Sequence, residues 1–272
     1  MNFSHIRVSS LEARIDGGAP LLALLDRLHA SIERTQALER SIEAIAEDGE
    51  LVFRMGEGTA ERRVPLSANA NRAALQVSRT VLDALVDVHE PLVIAHGAAL
   101  ERNGRVHAIV SNASGVGKTT LAFHLLSRGW RIISDDRILV DRSTGHVLPY
   151  HRLLTVGSSA LPFVPRMFRR ALEASPWFYE PDCVDVVYIA VDPALACGSA
   201  VWSLGGPLES VLFATRAADG IASVETIDAD RIPAEGTQLA AWIGSGAATR
   251  LGLLSIGAPT VTADAVEVWA ER

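Results

Sequence analysis

Residues 106 to 126 read VHAIVSNASGVGKTTLAFHLL: an apolar run, a loop ending in Gly-Lys-Thr, and a second apolar run. In the pattern G-x-x-x-x-G-K-[ST], consecutive backbone N–H groups point inward around phosphate oxygens. The following helix offers its positive N-terminal end, and lysine adds a point charge. Gly115, Gly117, Lys118 and Thr119 are in place, while Asn112 stands where the first glycine belongs. That glycine serves the tight turn off the strand, and asparagine readily accepts left-handed backbone angles. The loop (Asn112, Ala113, Ser114, Gly115, Val116, Gly117, Lys118, Thr119 and Thr120) is therefore expected to bind ATP or another nucleoside triphosphate. It would do so between a strand and a helix of an α/β domain.

Upstream, PLVIAHGAALERNGRVHAIV gives two apolar strands joined at Asn103-Gly104, a reverse-turn pair. Downstream the helix closes at Gly129, and RIISDD and RILVD follow as short strands. A phosphate loop needs an acid at the end of a neighbouring strand to hold Mg2+. Two sites compete. Asp192 ends VVYIAVD but precedes a proline, where aspartate is also a good turn starter, and no acid beside it could activate a water. Asp135 and Asp136 offer two carboxylates with alternate orientations on an extended chain. One can coordinate the metal while the other accepts a proton from an incoming hydroxyl. Their mutual repulsion favours a nearby cation and raises one proton affinity. The pair is the favoured site.

The rest of the chain sorts around this unit. Pro20 to Gln36 has leucines at helical spacing, and SIEAIAEDGELVFRM reads as a hairpin turning at Asp48-Gly49. Residues 1–68 are expected to form a small N-terminal α+β region, a helix with antiparallel strands, before a catalytic domain at 69–272. Within that domain, Asn71 to Val88 reads as an amphipathic helix and HVLPYHRLLTV as β structure. VDVVYIAV and SAVWSL read as strands, GPLESVLFATR as a helix, and the tail as helix (Gln238 to Ile243), strand (Arg250 to Ile256) and a last helix from Ala263. Ser158 to Asp182, rich in proline and aromatics, is too long for a mere connection and suggests a functional segment.

These residues resemble the catalytic domain of HPr kinase/phosphorylase and, more closely, the smaller HPr-kinase-related kinases. Some of the latter phosphorylate ribosomally made peptides such as lasso peptides. The likeness is carried by HGAAL before the loop strand, by SGVGKTTLAFHLLSRGW, by SDD followed by Arg137, and by the step from Lys118 to Asp136. It is clear over residues 92 to 157. The resemblance implies a P-loop, HPr-kinase-like (phosphoenolpyruvate-carboxykinase-like) α/β fold with a mixed sheet. It implies Asp136 as general base, the Thr119 hydroxyl on Mg2+ with Asp135, His96 beside the phosphates, and Lys118 on the β- and γ-phosphates. The substrate it implies is a peptide or protein with a Ser or Thr hydroxyl, and the assembly a possible homo-oligomer. Asn112 departs from the family pattern. So does YHRLLTVGSSA, which stands where HPr kinase/phosphorylases carry a long glycine-rich segment with a metal-binding glutamate. A kinase without phosphorylase activity is therefore favoured.

Arg152 is a further candidate, because arginine forks phosphate oxygens and could stabilise charge on the transferred group. RMFRR (Arg166, Arg169, Arg170) concentrates positive charge and could draw an acidic substrate. His124 reads as a packing or surface histidine. The bulk composition fits an ordinary globular chain: 272 residues, 49% hydrophobic, net charge −7. That charge argues against a broad nucleic-acid-binding face. Cys183 and Cys197 have no metal-ligand spacing, and no apolar stretch reaches membrane-spanning length, so a cytoplasmic protein without membrane or nucleic-acid partners is expected. The competing readings are a nucleotide-gated binding or chaperone module, a small-molecule kinase, and a plain ATPase using Asp192.

Overall fold

The computed structural model describes residues 3–8, 11–16, 40–54, 61–68, 73–74, 76–78, 80–81, 92–111, 113, 115–175, 177–179, 187–232, 239, 243 and 250–271. The helix expected at 20–36, Asn112, Ser114 and Cys183 lie outside these residues, as do the side chains of Trp177, Phe178 and Tyr179.

Strands β1 (Phe3–Val8), β2 (Leu11–Asp16), β3 (Arg40–Glu47), β4 (Glu50–Arg54) and β5 (Glu61–Pro65) form one sheet in chain order. Its pairings are antiparallel except for β2 with β3, which run parallel, so the expectation of an antiparallel region is corrected there. The β3–β4 turn falls on Asp48-Gly49, at φ 50° and 78°. Both angles are positive, as a two-residue hairpin turn requires.

The main sheet contains β6 (Leu92–Ala95), β7 (Gly97–Arg102), β8 (Arg105–Val110), β9 (Arg131–Ser134), β10 (Ile138–Asp141) and β11 (His146–Leu148). It also contains β15 (Gly206–Arg216), β16 (Ser223–Thr226) and β17 (Arg250–Ile256). A third sheet joins β12 (Leu154–Gly157), β14 (Val187–Val191) and β13 (Trp177–Tyr179). In the main sheet β8, β15 and β17 are parallel neighbours, while β7 runs antiparallel to β8 and β9. The sheet is mixed.

Both faces of this sheet are covered. On one, Leu100, Ile109, Leu212 and Leu254 pack with Leu121, Phe123 and Leu125 of α1 (Lys118–Leu126) and with Val266 and Trp269 of α2 (Pro259–Ala270). On the other, Ala99, Val110 and Val211 pack with Val93, Ile138, Leu239 and Ile243. Alternate residues of β7, β8 and β15 thus divide between two cores, as in an α/β fold.

That double burial explains the main misreading. GPLESVLFATR is the strand β15, not a helix. A central parallel strand buried on both sides loses polar–apolar alternation, and its apolar run looks helical by spacing alone. SAVWSL is likewise a 3-10 turn at Ser199–Val201 followed by a single bridge at Trp202, not a strand. The described part of the 158–182 segment is more regular than expected, with 3-10 turns, a short helix at Arg169–Glu173 and the strand β13. The last helix starts at Pro259, before the expected Ala263, because proline is well placed in a first turn.

Gly97 shows why a glycine follows His96. A Cβ there would sit 2.3 Å from the Ile109 carbonyl oxygen on the neighbouring strand. Gly97→Ala is expected to cost about 2–3 kcal/mol by forcing β7 away from β8. Urea unfolding checks this; unchanged stability would mean that the two strands separate there at no cost.

Candidate active site

β8 delivers the chain to the loop, and Gly115 (φ 74°) and Gly117 (φ 105°) turn it through left-handed geometry into α1. The first turn of α1 itself carries no acidic residue. Lys118 opens the helix and folds back across the loop, its Nζ donating to the carbonyl oxygens of Ser111 (3.4 Å) and Ala113 (3.2 Å). Burial lowers the Lys118 pKa, while the negative charges of Asp135 and Asp136 oppose that shift. Val116 and Thr120 face inward and Ala113 is exposed.

β9 ends at Ser134, and Asp135 follows at 3% exposure. The Thr119 hydroxyl lies 3.2 Å from each Asp135 carboxylate oxygen, so the first acid of the pair grips the loop's own threonine. The Asp135 carboxyl is pushed up to about 6, first by burial and then by the charge of Asp136. Arg152, the Thr119 hydroxyl and the Thr155 N–H pull the other way. Between the ordinary 3.8 and about 6, the folded chain holds a proton that the unfolded chain releases. Stability therefore falls as pH rises through that window and stays lower above it. Asp135→Asn removes the charge and keeps an acceptor for Thr119. It should stabilise the nucleotide-free protein by about 1–3 kcal/mol at pH 8, with no gain at pH 4. Denaturant titrations at the two pH values test this, and a variant weaker than wild type at pH 8 would oppose it.

Asp136 does not continue the strand. Its φ is 74°, so the pair is not two alternating positions of an extended chain, as the sequence suggested. Aspartate tolerates this left-handed bend better than most residues. Two side chains meet the bend, and the Gly97 N–H donates to its carbonyl oxygen (3.4 Å). Arg152 Nη1 donates to Asp136 Oδ2 at 2.8 Å, and His96 Nδ1 lies 3.3 Å from Oδ1. His96 Nδ1 is also 3.0 Å from the Asp136 carbonyl oxygen. A carbonyl only accepts, so Nδ1 carries the proton of this histidine.

Arg152 is 1% exposed, which rules out a solvated strand arginine. It is held by its neighbour: the Tyr150 N–H donates to the Ile133 carbonyl (3.2 Å), and the Tyr150 hydroxyl meets the Ser78 hydroxyl (3.4 Å). Among the described residues, Arg152 Nε and Nη2 are buried without a hydrogen-bond partner. A buried guanidinium with only one of its nitrogens engaged is costly unless a further acceptor joins it.

The structure thus brings Lys118, Thr119, Asp135, Asp136, His96 and Arg152 to one place. Asp192 stands apart in role, its Oδ1 accepting the Ala194 N–H (2.9 Å) as a turn starter. His124 is not part of the cluster and bonds the Phe163 carbonyl oxygen (2.8 Å). Ser111 and Thr155 contribute through backbone atoms, which no side-chain pattern announces. The Asp135 carboxylate and Thr119 hydroxyl are hard oxygen donors of the kind Mg2+ accepts, and Mg2+ takes few protein ligands. No helix among the described residues is long and apolar enough to cross a membrane.

No family profile matches the chain. The HPr kinase/phosphorylase of Nitrosomonas europaea is 30% identical over 98 residues, 36% of this chain and 30% of that protein. The HPr kinase/phosphorylase of Treponema pallidum (strain Nichols) is 32% identical over 73 residues, 27% of this chain and 23% of that protein. The matched segments therefore span less than a third of those relatives. The solved Hpr(Ser) kinase/phosphatase from Coxiella burnetii aligns with 65% of this chain and 96% of its own, at 13% identity and a TM-score of 0.35. At that score the superposition carries no argument.

Proposed function

We propose, from the premise that this chain is HPr-kinase-like, that it is an ATP- and Mg2+-dependent kinase. It transfers the γ-phosphoryl group to a Ser or Thr hydroxyl of a peptide or protein. The carrying observation is the Asp136 carboxylate held between Arg152 and His96, next in sequence to the Asp135 that bonds the loop's Thr119.

In this reading the loop amides cradle the β- and γ-phosphates. Lys118 releases the Ser111 and Ala113 carbonyls to reach the same oxygens. Asp135 and Thr119 would hold Mg2+, which would supply charge neutralisation for the phosphate oxygens. Arg152 turns its two unengaged nitrogens to the transferred group, and His96 keeps Asp136 oriented. Asp136 accepts the proton as the substrate oxygen bonds to phosphorus and the bond from phosphorus to the ADP oxygen breaks. Most of the rate comes from positioning and charge neutralisation, because phosphoryl transfer leaves little covalent work for a protein.

A ribosomally made peptide is the substrate class the sequence resemblance favours, in the cytoplasm, with residues 1–68 as a separate unit. The test is incubation with γ-labelled ATP, Mg2+ and fractionated peptides, followed by intact-mass analysis. The expected result is one added phosphoryl group on a Ser or Thr. Nucleotide binding without transfer to any fraction would favour a nucleotide-gated module instead.

A further inference from the structure

The segment from Ser158 to Ser175 leaves the site directly after β12, whose Thr155 N–H bonds Asp135. It is firmly anchored. Val164, Phe168 and Ala171 are buried in the α1 core, Phe168 meets Phe123 edge-on at 4.8 Å, and the Phe163 carbonyl accepts from His124. Its outer side is different. Arg166, Arg169 and Arg170 are exposed, and among the described residues none has an ion-pair partner. Phe163 (56%) and Met167 (46%) are exposed beside them, and the short helix Ala194–Cys197 packs against the segment and adds exposed Leu195. The patch therefore combines large apolar side chains with three positive charges that no carboxylate among the described residues pairs, on a chain whose net charge is −7.

Folding does not account for this arrangement. Core packing already fixes the segment, and three like charges within five residues repel one another. Each would be stabilised by an acidic partner, and apolar side chains set among them add contact area. Distance limits who that partner is. His124 lies six residues beyond Lys118 on α1, so the anchor point is roughly 9 Å along the helix from the phosphate loop. About three extended residues cover that span.

We propose that Phe163, Met167, Arg166, Arg169 and Arg170 form the docking surface for an acidic segment of the peptide substrate. The acidic residues would sit about three to six positions from the accepting hydroxyl, with an apolar residue among them. This rests on the kinase reading for the identity of the substrate, but the docking itself can be measured without transfer.

The probes are fluorescein-labelled synthetic peptides containing one Ser, a Phe, and Asp/Glu residues three to six positions away, with Asn/Gln versions as controls. Anisotropy is followed with the full chain at low and high salt. The acidic peptides should bind at least tenfold tighter than the controls and weaken in high salt. Arg166→Glu/Arg169→Glu/Arg170→Glu should abolish that preference while ADP affinity and the unfolding midpoint stay unchanged; Arg→Gln versions guard against over-repulsion. Equal binding of acidic and control peptides, or a preference that survives charge reversal, would overturn the proposal. So would sedimentation showing that the patch is covered by a second copy and that charge reversal yields monomers. Docking as described, with no label transferred by wild type, would retain the surface and reject the kinase.

Discussion

Asp136→Asn is expected to lower phosphoryl transfer by about 10²–10⁴-fold, the range a positioned general base supplies, while leaving nucleotide affinity within a few-fold. The loop atoms that would cradle the nucleotide are untouched by the change. The asparagine still offers an oxygen to Arg152 Nη1, so the geometry can persist while the proton acceptor is gone. There is a second effect. Arg152 is buried and ion-paired with Asp136, so the variant removes the nearer of the two carboxylates that face this guanidinium and leaves Asp135. Some stability is lost for that reason, and turnover must be read well below the unfolding temperature. A variant that folds, binds nucleotide and transfers at the wild-type rate would remove the general-base role.

Arg152→Met has the larger effect on stability. Asp136 is 17% exposed and keeps His96 beside it, so losing Arg152 costs at most about 3–5 kcal/mol, the figure for a fully buried pair, in which the remaining charge keeps its whole desolvation penalty. For a chain of this size that is a drop of roughly 6–20 °C in the unfolding midpoint. Transfer should fall with it, since the two unengaged nitrogens are the donors assigned to the moving group. The double variant Arg152→Met/Asp136→Asn separates the two roles. With both charges gone it should recover much of the lost stability and none of the activity. Additive stability losses in the double variant would show that the two side chains do not act as a pair.

Local chemistry made much of this site legible in the sequence. The glycines and Lys118 of the loop, the turn pairs at Asp48-Gly49 and Asn103-Gly104, and the adjacent Asp135 and Asp136 carry their roles in residue type and spacing. β15 was hidden for a physical reason: burial on both faces erased the alternation that marks a strand. The left-handed bend at Asp136 was hidden too, because its contacts come from His96 and Arg152, neither of them adjacent in sequence. Arg152 itself was ambiguous as a letter. Its burial, at 1% exposure, comes from the tertiary fold and is not written in the local sequence.

The most direct measurement is a crystal structure of the chain with Mg2+ and a non-hydrolysable ATP analogue. The β- and γ-phosphates are expected on the amides before Thr119, with Lys118 moved from the loop carbonyls onto their oxygens and an Arg152 nitrogen within hydrogen-bond reach of the γ-phosphate. An Asp136 carboxylate oxygen should stand about 5–6 Å from the γ-phosphorus, leaving room for one hydroxyl between them. A triphosphate bound elsewhere, or an Asp136 carboxylate turned away from its terminal phosphorus, would contradict this arrangement.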